Sequence, residues 1–239
     1  MMDVWGQMYW DELESSSGPY FVDRDDGIEH EIESAAKYFT APRSEEEAEF
    51  LDGLLGPVLD VGAGAGSYAL YLQGRGLEVT AIDNSPKAVE VCRARGCRDA
   101  RVMDLRALEL EPNQFGSVII MGNTLGAHQN PDTLPRFLAV LHKAVREGGN
   151  LLCMTMDPLE TKEDVHLAYH ERNRERGLPP GLTRIRIRYK ELATEWMDFW
   201  MPTTEELQSA ISGTGWDLVR ERSVGPFRLR LFQNDGSVT

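Results

Sequence analysis

The segment 58–68 constrains the fold of this chain more than any other part of its sequence. A short apolar run leads into a turn with glycines at alternate positions, Gly62, Gly64 and Gly66. Glycine lets the backbone turn sharply and approach a ligand closely, and free N–H groups at the start of a following helix favour a carboxylate or phosphate. A strand, a glycine turn and a helix in this order predict a pocket for a nucleotide-type cofactor, whereas glycines without such neighbours indicate only a tight turn.

Short apolar runs, most of them separated by segments of helix length, continue from this point. They occupy residues 57–61, 78–82, 100–103, 117–121 and 150–155. The alternation is typical of an α/β fold, so we expect a doubly wound, mostly parallel, seven-stranded Rossmann-like sheet with helices on both faces. Right-handed crossovers place the carboxyl ends of parallel strands at one edge, where ligands bind in such sheets. Functional residues are therefore expected directly after each strand.

The remaining segments predict a cover for that edge. Residues 1–50 are interpreted as an N-terminal helical lid segment and residues 51–239 as the main domain, with a cap inserted at about 160–200. Within the cap, a charged helical stretch precedes an alternating run at 184–189 and an aromatic run at 196–200. These two runs predict an antiparallel pair over the site.

Three local patterns predict further elements. Ser44 precedes three glutamates, as an N-cap residue does, so a helix is expected to run to about Leu55. Thr203 and Glu206 have the spacing of a capping box. The runs from Trp216 to Val224 and from Phe227 to Phe232 predict a final hairpin.

The balance of charge limits the partners. The 239 residues carry 25 Lys and Arg against 39 Asp and Glu, a formal net charge of −14, which repels a polyanion because nucleic-acid affinity comes largely from cations that neutralise phosphates. No apolar run approaches the roughly 20 residues of a membrane helix. The N-terminus lacks the features of a signal peptide, and the three cysteines fit a reducing compartment. We expect a soluble, cytoplasmic monomer or homodimer that binds neither nucleic acid nor membrane.

Acidic side chains follow the second and third apolar runs. Asp83 and Asn84 come after the second run, where a carboxylate can accept hydrogen bonds from both hydroxyls of a ribose. Met103, Asp104 and Leu105 follow the third run, so Asp104 can accept from an adenine amino group. Together with the glycine turn, these strand ends predict one nucleoside site.

The glycine turn separates two cofactors that contain such a nucleoside. A dinucleotide loop reads G-x-G-x-x-G, but counted from Gly62 the final position is Ser67. The pattern present is Asp60-x-Gly62-x-Gly64-x-Gly66. It resembles the glycine motif of class I S-adenosylmethionine-dependent methyltransferases.

This resemblance extends over roughly residues 57–155 and implies S-adenosyl-L-methionine as the cofactor. It implies that the glycines line the methionine part and that Asp60 supports the turn or the amino group. It also implies that Asp83 holds the ribose and that Asp104 holds the adenine. The complete set of expected cofactor-binding residues is Asp60, Gly62, Ala63, Gly64, Gly66, Asp83, Asn84, Met103, Asp104, Leu105 and Gly122.

The fourth strand leads into the segment 122–128, the loop that commonly faces the acceptor in this family. It lacks both the D/N-P-P-Y/F motif of amino-methylating DNA enzymes and the metal-binding acid of catechol-type enzymes, so we expect a metal-independent reaction. Asn123 is the candidate for orienting the acceptor. His128 is the candidate for accepting a proton, because the unperturbed pKa of histidine lies near neutrality. The alternative is an ordinary loop histidine.

Cap side chains give further hypotheses. His166 and His170 lie four residues apart on the predicted helix, with Glu163 on the same face. This is ligand-like spacing for a metal, although surface positions are the simpler interpretation. The aromatic run of the cap and the aromatics of the N-terminal segment could enclose a cationic or apolar substrate, or alternatively pack the core of the cap. The arginine candidates for binding an acid group of the acceptor, or alternatively for a solvated strand face, are Arg184, Arg186 and Arg188.

The sequence therefore predicts methyl transfer to an oxygen or nitrogen of a small-molecule acceptor, by direct in-line displacement. Protein or RNA methylation is the runner-up within the same class. From other classes, an inactive subunit that only binds the adenosyl ligand and an NAD-dependent oxidoreductase stay open.

Overall fold

A computed structural model describes residues 2–128 and 131–237 of the chain. The helices of this part are α1 Val4–Glu14, α2 Glu45–Asp52, α3 Ser67–Gly74, α4 Pro86–Ala94, α5 Leu134–Ala144, α6 Asp164–Glu175 and α7 Thr204–Ile211. The strands are β1 Tyr20–Arg24, β2 Glu29–Ile32, β3 Val58–Val61, β4 Val79–Asp83, β5 Asp99–Val102, β6 Phe115–Ile120, β7 Val145–Thr155, β8 Leu182–Tyr189, β9 Leu192–Ala193, β10 Met197–Trp200, β11 Trp216–Val224 and β12 Phe227–Asn234. Within the described ranges, no helix has both the length and the apolar character that a membrane crossing requires.

Seven of these strands form one sheet, in the order β11-β12-β7-β6-β3-β4-β5. The run from β5 to β7 is parallel, with Val58 of β3 paired to Val79 of β4 and to Ser117 of β6. Strand β12 pairs antiparallel with both β7 and β11. The expected mostly parallel seven-stranded sheet and the final hairpin are confirmed.

The two faces of this sheet pack against different helices, because successive side chains of a strand point to opposite faces. On β6, Val118 and Ile120 lie in a core with α5 and α7, whereas Ile119 lies in a second core with α2, α3 and α4. Each of these three side chains is at most 1% exposed. Burial on both faces explains why the sequence shows continuous apolar runs here. The predicted placement of helices on both faces is confirmed.

Side chains at the predicted helix starts make the predicted hydrogen bonds. The Ser44 hydroxyl accepts from the Glu47 N–H at 3.2 Å, although α2 ends at Asp52, earlier than expected. Thr203 and Glu206 form a capping box at the start of α7, with bonds of 3.1 and 2.8 Å. These bonds satisfy backbone N–H groups that a helix leaves without an internal partner.

A second sheet joins the N-terminal segment to the inserted cap. Its order is β10-β8-β1-β2, with β9 paired to β8. Strands β8 and β10 form the predicted antiparallel pair, with Ile185 opposite Met197. Strand β1 pairs with the other edge of β8 along residues 21–24. Helix α1 packs on α4 of the main domain and contributes Met8 to a third core.

The N-terminal segment is therefore not helical throughout, and that part of the prediction is corrected. Between α1 and α2 the chain forms the hairpin β1-β2, whose second strand reads Glu-His-Glu-Ile and is mostly exposed. A strand this polar shows no apolar alternation, and an isolated hairpin is marginal in water, so β8 stabilises it. Asp23 accepts from Arg186 and Arg188 at 2.7 Å each. Such pairing between distant segments is not visible in short-range periodicity.

Leu141→Ala tests the core between α5 and the main sheet. Leu141 is fully buried there, so truncation leaves a cavity and is expected to lower the free energy of unfolding by about 2–5 kcal/mol. The matched control is Leu218→Ala on β11, where the leucine is 46% exposed and the expected change is about 0.5 kcal/mol or less. Urea denaturation followed by circular dichroism measures both variants, and equal losses would contradict this packing.

Candidate cofactor and acceptor site

A cavity of about 1010 Å³ lies at the carboxyl edge of the parallel strands. One wall comes from the glycine turn and the ends of β3, β4 and β6, and the facing wall comes from α1, α6 and the second sheet. This volume is at the upper end of the range found for drug-sized ligands. The cavity therefore has room for a cofactor together with a second small molecule.

The structure brings most of the expected cofactor-binding residues to this cavity. Those that line it are Gly62, Ala63, Gly64, Asp83, Asn84, Met103, Leu105 and Gly122. Those that lie outside its lining are Asp60, Gly66 and Asp104. Both groups lie within or shortly after strands of the main sheet.

The glycine turn depends on backbone conformations that glycine adopts readily. Gly62, Gly64 and Gly66 have φ angles of 75°, 56° and 78°, in the left-handed region. Gly66 also lies against two buried thiols, since an added Cβ would stand 2.6 Å from the Sγ of Cys97 and 3.0 Å from that of Cys92. The role of Gly66 is thus to begin α3 behind the turn, while the other two glycines face the cavity.

Asp83, at the end of β4, ties the glycine turn to the next helix. Its Oδ2 accepts from the Gly64 N–H and its Oδ1 from the Ser85 N–H, both at 2.9 Å. Ser85 is the N-cap of α4, and its hydroxyl donates to Asp3 at 2.7 Å. Burial raises the pKa of the Asp83 carboxyl, against the opposing effect of the N–H donors. One side chain organises the turn, the helix start and part of the cavity wall.

Asp60, on β3, lies behind the glycine turn. Its side chain is almost fully buried, and its Oδ2 has no hydrogen-bond partner among the residues that the structure describes. Burial, with a further contribution from the negative charge of Asp83, raises the pKa of Asp60 to about 7. Below about pH 7, the folded chain therefore favours the protonated form of the Asp60 carboxyl group.

The expected adenine residues divide into two groups. Met103 and Leu105 line the cavity and offer apolar surface, but Asp104 does not line it. The Asp104 carboxylate accepts from the Arg106 guanidinium at 2.6 Å and from the Arg106 N–H at 2.9 Å. These bonds lower the pKa of Asp104. The sequence prediction did not include this ion pair.

The two residues nominated for catalysis are placed differently. Asn123 lines the cavity, and its Oδ1 accepts from the Met156 N–H at 2.7 Å, which joins the ends of β6 and β7. His128 is buried outside the cavity lining, with its ring 5.0 Å from that of Phe137 and its Nε2 2.8 Å from the Thr133 hydroxyl. Burial lowers the pKa of His128. The catalytic roles of both residues stay predictions.

The arginines of β8 lie on the strand face that is turned away from the cavity. Two isoleucines of β8 line the cavity, and the arginines alternate with them along the strand. Arg186 and Arg188 pair with Asp23 at 2.7 Å, and Arg184 pairs with Asp198 at 3.6 Å. The structure therefore supports the interpretation of these three arginines as a strand face outside the site.

Aromatic side chains of the N-terminal segment line the cavity. Trp5, Tyr9, Tyr20 and Tyr38 line the cavity, in edge or tilted contacts with ring centroids 5.4–6.0 Å apart. Tyr9 reaches the glycine turn, because a Cβ added at Gly64 would lie 3.4 Å from its hydroxyl. The sequence shows these aromatics but not their common location, since they come from α1, β1 and a later turn.

His166 and His170, whose simpler interpretation was as surface residues, also line the cavity. His170 is only 4% exposed. The signal in the sequence is the spacing of His166, His170 and Asn173, which places all three on one helix face. Within residues 2–128 and 131–237, no group of three or more His, Cys, Asp or Glu side chains is arranged to hold a metal ion.

Comparison with known proteins shows which chains this one is similar to. The family model for a methyltransferase domain matches residues 58–149, which include the glycine turn. No curated protein matches the chain. A solved S-adenosylmethionine-dependent methyltransferase from Bacteroides fragilis, in complex with S-adenosyl-L-homocysteine, is 25% identical, with a TM-score of 0.80 over 97% of this chain and 94% of that one.

Two further solved structures share the fold. The CcbJ methyltransferase from Streptomyces caelestis is 14% identical, with a TM-score of 0.62 over 78% of this chain and 93% of that one. The 1,6-didemethyltoxoflavin-N1-methyltransferase from Burkholderia thailandensis, with 1,6-didemethyltoxoflavin and S-adenosylhomocysteine bound, is 17% identical. Its TM-score is 0.51 over 74% of this chain and 70% of that one.

The fold, the glycine turn and the domain match define a methyltransferase. The domain match and the similarity to a solved enzyme over nearly the whole chain support an S-adenosylmethionine-dependent methyltransferase.

Asp60→Asn tests the buried carboxyl group behind the glycine turn. Because the pKa of Asp60 rises from 3.8 to about 7 on folding, its contribution to stability is full at acidic pH and is lost as the pH increases through about 7. From roughly pH 5 to pH 8, the wild type should lose about 2–3 kcal/mol more unfolding free energy than the variant. Urea denaturation of the cofactor-free proteins measures this, and parallel stability curves would be inconsistent with the buried carboxyl.

Proposed function

We propose that this enzyme transfers a methyl group from S-adenosyl-L-methionine to an oxygen or nitrogen of a small-molecule acceptor, without a metal ion. The observation that carries the proposal is the single cavity of about 1010 Å³, with the glycine turn and Asp83 on one wall and an aromatic cap on the other. A pocket of this kind suits two small ligands held against each other. The net charge of −14 also disfavours a nucleic-acid acceptor.

The residues at the main-domain wall fit the adenosyl cofactor. Gly62 and Gly64 leave the backbone open to the methionine part, since neither carries a side chain into the cavity. Asp83 supplies a carboxylate that can accept from ribose hydroxyls. Met103 and Leu105 provide apolar surface for the adenine, with Asp104 held beside them by Arg106.

The cap wall fits an acceptor with an apolar or aromatic body. The four aromatic rings and the isoleucines of β8 present mostly apolar surface to the cavity, and aromatic side chains stabilise ring-bearing ligands by offset or edge contacts. The Burkholderia thailandensis enzyme shows that the same fold serves a methyltransferase with a small acceptor bound. A small molecule fits this wall better than an extended polymer.

S-adenosyl-L-methionine supplies an activated methyl group when it is bound. The chain's own contribution is to hold the acceptor in line with that group and to exclude water, which requires alignment more than a strong base. We propose that Asn123 keeps this geometry, because its side chain fixes the end of β7 through Met156. His128 packs against Phe137 outside the cavity lining, so we assign it no part in holding the acceptor.

Asp83→Asn tests the cofactor site. Loss of the charged partner to the ribose should weaken binding of S-adenosyl-L-homocysteine by about 10- to 100-fold, the range for one charge-assisted hydrogen bond. Isothermal titration calorimetry measures this. The control is Asp217→Asn, on the exposed part of β11 and outside the cavity lining, which should bind as the wild type does.

Titration of the wild type with NAD separates the proposal from an oxidoreductase, and NAD should give no heat of binding. Equal affinities of the two aspartate variants for S-adenosyl-L-homocysteine, or tight binding of NAD, would count against the proposed site.

A further inference from the structure

The cavity lining also contains a polar cluster separate from the proposed cofactor residues. It consists of Arg24 on β1, His30 on β2, and His166 and His170 on α6, all of which line the cavity. Arg24 is 7% exposed. Polar side chains buried this deeply are normally satisfied by protein, water or ligand. Arg24 has its partners within the chain, whereas His170, 4% exposed, has a ring nitrogen without one, so the cluster contains an unused hydrogen-bonding group.

Arg24 fixes the protonation of His166. The Nη1 of Arg24 lies 2.8 Å from the Nδ1 of His166. A guanidinium group can only donate, so Nδ1 of His166 accepts and the proton of the neutral ring is on Nε2. The Nε and Nη2 of Arg24 donate to the Asp26 carboxylate at 2.8 and 2.7 Å, and Nη2 also donates to the Val165 carbonyl at 3.3 Å. The cluster thus presents a fixed N–H donor on His166, while the charge of Arg24 is balanced by Asp26.

His170 is the second imidazole of the cluster. Its Nδ1 is buried and has no hydrogen-bond partner among the described residues. Burial lowers the pKa of both His166 and His170, which keeps the two rings neutral near pH 7. The charged and titratable groups that face these two rings are Arg24, Asp26, His30, Asp157, Glu163 and Arg174.

The charges around the cluster select the kind of ligand. Asp157 and Glu163 line the cavity and act electrostatically on the two histidine rings, so an anionic ligand held by these rings meets like charge. A cationic donor finds no acceptor on His166, because the free ring nitrogen of His166 carries a proton. A neutral oxygen that accepts hydrogen bonds is not repelled by the carboxylates, and it can accept from the N–H of an uncharged imidazole.

We propose that His166 and His170 hold a neutral carbonyl oxygen of the methyl acceptor, so that the substrate class is an amide, lactam or ketone with an apolar or aromatic body. This inference rests on the proposed small-molecule methylation. It goes beyond that function because it assigns the acceptor chemistry and the residues that recognise it.

Three probes that share one ring test this inference. Benzamide, benzoate and benzylamine are titrated into the full chain saturated with S-adenosyl-L-homocysteine, and dissociation constants are obtained from protein NMR shifts. Benzamide should bind about tenfold more tightly than either charged probe, the effect of about 1.4 kcal/mol from one well-placed hydrogen bond. Benzoate or benzylamine binding as well as benzamide, or no binding of benzamide, would overturn it.

Variants of α6 test whether His166 produces the preference for benzamide. His166→Leu should reduce the preference for benzamide at least fivefold, whereas His166→Gln keeps an amide donor and should retain part of it. The control is Glu175→Gln, an exposed position at the end of the same helix, which should leave all three affinities unchanged. A preference that survives in His166→Leu contradicts the assignment of this residue.

Titration with S-adenosyl-L-homocysteine distinguishes failure of the proposed function from failure of the acceptor assignment. If S-adenosyl-L-homocysteine does not bind, the proposed function fails. If it binds normally and the probes show no preference for benzamide, only the acceptor assignment fails.

Discussion

The hydrogen bonds of the Asp83 carboxylate are the interaction on which the rest of the site depends. They join the glycine turn after β3 to the start of α4. Ser85, at that helix start, donates to Asp3, whose carboxylate also accepts from the Lys87 N–H at 3.1 Å. The cofactor turn and the N-terminal cap are therefore attached to the same short stretch at the end of β4. A buried carboxylate held by backbone donors gives this joint a defined geometry.

The second sheet, which lines the cavity, is made from two distant parts of the chain, the N-terminal segment and the cap. Strand β1 of the N-terminal segment lies beside β8 of the insertion, and Asp23 links them through two arginines on the outer face. The inner face carries isoleucines and Tyr20 toward the cavity. Tyr9 of α1 contacts the glycine turn directly. These contacts place the residues of the second sheet and the glycine turn around one cavity.

The sequence predicted the features of the site that depend on interactions between residues close together in the chain. The positive φ angles of Gly62 and Gly64 and the carboxylate at Asp83 follow from a strand–turn–helix pattern, and each was placed correctly at the sheet edge. The hairpin β1-β2 was missed because its stability comes from pairing with β8, more than 150 residues along the chain. The ion pair of Asp104 with Arg106 and the burial of His170 were missed for a similar reason. Competing side-chain partners and tertiary burial leave little trace in composition or periodicity.

The central claim is that one cavity holds the adenosyl ligand on the main-domain wall and leaves the cap wall for an acceptor. A crystal structure of the chain with S-adenosyl-L-homocysteine tests this most directly. We expect ribose hydroxyls within hydrogen-bond distance of Asp83, adenine between Met103 and Leu105, and the sulfur atom facing the space between Asn123 and the aromatic side chains of residues 1–50. A ligand that lies against the cap aromatics with Asp83 uncontacted would contradict it.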